Sequence, residues 1–172
     1  MANLFLAAFE CLTTSQVTEK LSLAQQLWTD WQAGKLGVEP TIELPEVVEP
    51  GRPDRPQLVA PRDLPKRRLG SREGHGAMIH AIGHIEFNAI NLACDAVYRF
   101  RDMPSEYFAD WLQVASEEAY HFSLISDRLG QLGYRYGDFP AHSGLWDLAL
   151  KTAHDPLVRM ALVPRVMEAR GL

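Results

Sequence analysis

From Ser71 to the end of this 172-residue chain, apolar residues recur at spacings of three and four with little interruption. That period belongs to amphipathic helices, and no segment alternates convincingly with the period of two that a half-buried strand needs. The expected class is therefore all-α. One helix is expected over about 71–101, and a second over about 105–132, with Pro104 before it and Gly133 after it. A loop over 134–142 leads to a short helix after Ser143. Asp155-Pro156 reads as the N-cap and first position of a last helix, which Pro164 should kink.

Upstream the pattern differs. Residues 1–37 read as a helical segment in which Thr14 or Ser15 caps a helix over 16–33, ended by Gly34 and Gly37. Residues 38–70 hold seven of the eleven prolines, which remove backbone donors and disfavour helix before them. This zone is expected to be an extended arm wrapping the core, with Leu44, Val47, Val48 and Leu58 as anchors; a disordered linker is the alternative. Lys66-Arg67-Arg68 reads as a solvated turn more readily than as a nucleic-acid contact. The expected organisation is thus a 1–37 helical segment, a 38–70 arm and a 71–172 bundle.

Composition narrows the function. A formal net charge of −5 argues against a general DNA or RNA binder but leaves room for an RNA substrate held by a local basic patch. Two cysteines, Cys11 and Cys94, make no disulfide framework and fit a reducing, cytoplasmic compartment. The apolar start reaches Glu10 without a basic leader, and no run of about 18 apolar residues offers a membrane span. No P-loop, Gly-x-Gly-x-x-Gly, Gly-x-Ser-x-Gly or Cys-x-x-Cys motif is present.

The chemistry lies in acidic residues on apolar faces. Ile79, Ile82, Gly83, Ala89, Ile90, Ala93, Cys94 and Val97 form one stripe, and Glu86 falls within it. Trp111, Val114, Ala115, Phe122, Ile125 and Leu129 form another, which holds Glu118 and His121. A buried, ionised carboxylate without a compensating charge costs several kcal/mol. A metal ion supplies that charge. Glu118-Ala-Tyr-His121 places carboxylate and imidazole on one helical face, donors that suit iron, manganese or zinc. Di-iron carboxylate bundles take a Glu from each of two helices and a Glu-x-x-His from each of two others. Glu86 with Glu118 and His121 is one such half-set, and Glu168 is the candidate from the last helix. The alternative is a buried ion pair involving Arg165 or His84. His80 and His84 are expected to be supporting or surface residues, and Glu117 and Tyr120 lie off the site's face. His142 and His154 are expected as polar caps, and Cys94 as a small core residue.

Several runs carry a resemblance: Arg68–Gly74, His80–Phe100, Asp110–Leu124, Tyr136–Trp146 and Arg159–Leu172. Together they resemble a bacterial ferritin-like family of unknown function, itself distantly similar to di-iron tRNA hydroxylases. The resemblance implies a ferritin-like bundle with a further helix and a second Glu-x-x-His beyond Leu172, so the chain reads as a bundle short of its last helix. It implies a carboxylate-bridged pair of iron ions at Glu86, Glu118, His121 and Glu168. The expected function is an oxidoreductase or oxygenase acting on a small molecule or RNA. Metal binding or iron storage without turnover, and a metal-free helical scaffold, are the alternatives. The uncovered apolar groove implies self-association, with a homodimer completing the bundle.

Overall fold

The computed structural model describes every residue except 40–42, 44, 67, 69 and 172, and for 164–171 it describes the backbone alone. Leu44, one expected anchor of the arm, lies outside the described residues.

The described residues form an all-α helical bundle. Helices α1 (Leu4–Thr13) and α2 (Val17–Gln32) make an N-terminal hairpin. Helices α3 (Arg72–Arg99) and α4 (Ser105–Gln131) form the long central pair, followed by α5 (Gly144–Lys151) and α6 (Pro156–Gly171). A short parallel pairing, which the sequence did not announce, joins β1 (Ala2–Asn3) to β2 (Leu36–Gly37) and ties the start of α1 to the end of the hairpin.

Local chemistry sets the helix ends. The Asn3 side chain caps α1, accepting from the backbone N–H of Phe5 and Leu6 (3.0 and 3.1 Å). Thr14 closes α1 instead of opening α2, whose N-cap is Gln16 with no side-chain hydrogen bond. That corrects the expected Thr14 or Ser15 cap: the turn between the helices is too short for either residue to serve α2 alone. Ser71 caps α3 through Gly74 N–H (2.9 Å), and Asp155 caps α6 through Leu157 and Val158 N–H (2.7 and 3.2 Å). Gly34 and Gly133 follow α2 and α4 with φ of 65° and 80°, a region that favours glycine.

The hairpin packs on the central pair, α1 against α3 and α2 against α4. The shared core contains Leu4, Phe5, Leu12, Leu27, Ile90, Val97, Phe108 and Leu112. Phe5 and Trp31 both meet the Phe108 ring edge-on. Gly83 lets α3 and α4 approach closely, since a Cβ there would lie 2.9 Å from the Ile125 side chain. Away from the hairpin, Ile82, Ile85, Tyr120 and Leu124 are exposed.

The proline-rich arm runs along the bundle. Val47, Pro50 and Pro56 are buried, Leu58 is partly buried, and Val48 is exposed. Val48 is therefore no side-chain anchor; its carbonyl accepts from the Trp146 indole (2.8 Å) instead. The Tyr98 hydroxyl donates to the Pro45 carbonyl, Arg99 to the Val47 carbonyl (3.2 Å), and Gly51 N–H to the Leu12 carbonyl (2.8 Å). Gln57 and Val59 pair with Ala141 through the backbone (3.0 and 2.9 Å).

Two clusters built on buried charged side chains, one on Lys20 and one on Asp95 with Arg159, hold the helices together. Lys20 on α2 is fully buried and donates to the carbonyls of Cys11 and Leu12 (2.7 and 2.9 Å), terminal carbonyls of α1, and to Asn91 Oδ1 on α3 (2.7 Å). Burial lowers its pKa. Asp95 on α3 is also fully buried; it accepts from Arg99 one turn on (2.7 Å) and from the buried Arg159 of α6 (2.9 Å).

Candidate metal centre

Glu86 sits near the middle of α3, one turn beyond Gly83, against which the Ile125 side chain of α4 packs closely. Glu118 and His121, one turn apart on α4, lie across from it. One oxygen from each carboxylate and one imidazole nitrogen fall within 4.8 Å of one another. His121 Nδ1 lies 3.3 Å from Glu118 Oε2 and 3.7 Å from Glu86 Oε2. Carboxylate oxygens and an imidazole converging this closely, from two rigid helices, are a donor set suited to a divalent transition metal.

The site occupies the edge of the core rather than its interior. The side chains of Glu86, Glu118 and His121 are 20, 23 and 50% exposed. This corrects the expectation that all three lie inside buried stripes. Ile82, counted in the α3 stripe, is exposed, so the buried face of α3 is rotated toward the hairpin and α4 and leaves the Glu86 edge open. On the core side, Phe87 and Phe122, each next in sequence to a ligand residue, are buried and pack together (centroids 5.8 Å apart). Partial burial, then the hydrogen bond and charge of Glu118, push the Glu86 carboxyl up to about 8, with His121 offsetting part of the rise. Near neutral pH the Glu86 carboxyl therefore keeps its proton, at a place where a cation would offset the same repulsion.

Glu168 lies on α6, but its side chain is outside the described residues, as is that of Arg165. Tyr120 is exposed, and its ring lies beside the His121 ring (centroids 6.2 Å apart). Cys94 is buried in the core, as is Cys11. His142 accepts from Gly144 N–H at the start of α5 (3.0 Å), a polar-cap role.

His80 and His84 are not surface residues. His80 is buried and its Nε2 accepts from Gly137 N–H (2.9 Å). His84 lies on the flank of α3 away from Glu86. Its Nδ1 is 2.9 Å from the Tyr136 hydroxyl and its Nε2 is 3.1 Å from the His142 carbonyl. A carbonyl only accepts, so Nε2 carries the proton and Nδ1 accepts from Tyr136. The segment after α4 supplies these partners, and because it shows no periodicity nothing in the residue pattern pointed to them.

Burial lowers the His84 pKa to about 4. Its folded value lies below its unfolded one, so the neutral ring stabilises the fold fully above about pH 6.5. That stability is lost as pH falls toward 4, by on the order of 3 kcal/mol. His84→Gln is expected to flatten this part of the pH profile, read as the change in urea midpoint between pH 7 and pH 4.5. Equal slopes in the two proteins would show that His84 does not titrate differently on folding.

A family model described as a protein of unknown function, DUF455, matches residues 13–172. An uncharacterised protein of Haemophilus influenzae (strain ATCC 51907 / DSM 11121 / KW20 / Rd) is 48% identical over 172 residues, covering 94% of this chain and 59% of that protein. The chain thus spans about three-fifths of the length of the curated relative it matches. No solved structure matches it. Among the described residues no helix is long and apolar enough to cross a membrane.

Proposed function

The chain belongs to the DUF455 family, and we propose that it is a metal-binding protein of ferritin-like type whose centre is built on Glu86, Glu118 and His121. The observation that carries this reading is the convergence of the three donors within 4.8 Å on facing helices. The Glu86 carboxyl, held up at about 8 beside Glu118, supports it: two carboxylates are kept together at a cost that a cation would remove. Iron is the proposed metal, with manganese and zinc as the competitors the same donors accept. Glu168 on α6 is the proposed fourth ligand. Bound iron would supply redox chemistry with dioxygen, and the proposed activity is oxidation of an organic substrate.

Three ligands leave coordination positions free, and Ile82, one turn before Glu86, and Leu124, one turn after His121, are exposed apolar side chains on the same two helices. A second copy of the chain closing over this face is the proposed arrangement in solution.

Metal content per chain after anaerobic loading with ferrous ion tests the reading, run beside Glu118→Ala. Two irons per chain, lost in the variant, support a paired centre. One iron supports a mononuclear site and removes the paired-iron reading. No iron, manganese or zinc retained leaves the cluster a metal-free pair of carboxyls beside an imidazole and overturns the proposal. Dioxygen uptake by the loaded protein then separates redox turnover from binding alone.

A further inference from the structure

A cavity of about 350 Å³ lies on the flank of α3 away from the metal centre, and none of the three ligand residues lines it. Its volume is within the range of small-molecule sites, about 300–1,000 Å³. Ala77, Met78, Ala81 and Ile85 form one wall, and Phe139 and Leu145 stand opposite. Met78 and Ile85 are exposed there, an unusual position for large apolar side chains on a central helix.

The cavity is long. Its lining follows α3 from Gly74 to Asn88, about 21 Å of helix at ~1.5 Å per residue. Its two ends differ. At the Asn88 end the polar groups are already engaged: both His84 ring nitrogens have partners, and the Asn88 amide donates to the His84 carbonyl (2.8 Å). That end offers ring faces and methyl groups rather than free donors. The Gly74 end is bounded by the last residues of the arm. Leu64 and Pro65 line the cavity, and the Arg68 carbonyl packs against Gly74 and accepts from the Ser71 hydroxyl (2.8 Å). Lys66, next in sequence to Pro65, and Arg68, whose carbonyl packs against Gly74, are exposed at this end. Residues 61–73, which frame this end, carry five basic and two acidic side chains (Asp63 and Glu73) in a chain whose net charge is −5. The positive end of the α3 dipole adds to the same rim.

We propose that this cavity binds an amphiphilic anion, an extended medium-length acyl chain with a carboxylate head, the chain lying along α3 and the head against Lys66 and Arg68. The length of the slot favours an alkyl chain over a compact ring system. The basic rim at one end favours a negative head over a neutral or positive one.

Titration of the full chain with sodium decanoate, below its micelle concentration, tests this by calorimetry. Decyltrimethylammonium (same tail, opposite charge) and butyrate (same head, short tail) are titrated beside it. Saturable binding of one decanoate per chain is expected, with each comparison compound at least tenfold weaker. Lys66→Glu combined with Arg68→Glu should weaken decanoate tenfold or more and leave decyltrimethylammonium unchanged or tighter. Ala81→Trp, at an exposed helical position, should fill the slot and abolish decanoate binding while the helical circular dichroism and melting curve are kept. No saturable decanoate binding, equal affinity for the two head groups, or indifference to either variant would each overturn the proposal.

Discussion

Ferrous ion is expected to raise the melting temperature of the metal-free chain by roughly 5–10 °C at a concentration a hundredfold above its dissociation constant. A ligand held only by the folded state at that excess contributes about 2.7 kcal/mol, and a domain of this size shifts by roughly 2–4 °C per kcal/mol. Glu118→Ala and His121→Ala should each abolish the rise, because each removes a donor that the remaining two cannot replace. Glu86→Gln separates binding from folding. In the metal-free protein it replaces a carboxyl whose charge is disfavoured by burial and by Glu118, so this variant should melt no lower than the parent. With metal it should gain nothing. A parent that shows no rise with ferrous, manganous or zinc ion would count decisively against a metal centre here.

Asp95→Ala is expected to be the most destabilising single substitution considered, by about 3–5 kcal/mol. Asp95 is fully buried and receives hydrogen bonds from Arg99 and Arg159. Its removal leaves the Arg159 guanidinium buried with only neutral partners, the Thr152 hydroxyl and the Ala149 carbonyl. Replacing both members with apolar residues, as in Asp95→Leu with Arg159→Met, should recover most of the loss, since a well-packed apolar pair avoids the desolvation of two charges. Urea midpoints of the single and double variants decide it. A double variant no more stable than Asp95→Ala would mean that the cost comes from packing or from the Arg99 contact to the arm, rather than from the stranded charge.

How much was legible in the sequence depended on range. Helices α3 and α4 were placed within two residues at their ends because their stop signals are local: Ser71, Pro104, Gly133 and the periodicity between them. The Glu-x-x-His step and the matching Glu86 were legible for the same reason, since residues three apart on one helix necessarily share a face. Their depth was not, because burial depends on where α1 and α2 dock. Asp95 shows the limit of the argument. It stands between Cys94 and Val97 on an apolar face, just as Glu86 stands on its own, with Arg99 one turn away as a visible partner. Its apolar flanks mark Asp95 for burial as they mark Glu86, but Arg99 meets its charge locally, whereas Glu86 has no basic residue one turn away on its helix. Lys20 gave no such sign. Its side-chain partner, Asn91, is 71 residues away, and on α2 it reads as an ordinary solvated lysine. The pairing of Ala2–Asn3 with Leu36–Gly37 is too short for any periodicity to reveal.

The arm has a consequence for how this surface can change over generations. Its carbonyls at Pro45, Val47 and Val48 are the groups that the bundle grips, through Tyr98, Arg99 and Trp146. A carbonyl is common to every amino acid, and proline keeps its carbonyl while giving up the N–H that would otherwise need a partner. The letters of the arm are therefore loosely constrained apart from the buried Val47, Pro50 and Pro56 and the closely approached Gly51, whereas its path and its three receptors are tightly constrained. Substitutions should accumulate readily on the strap and rarely on the buckles that fasten it.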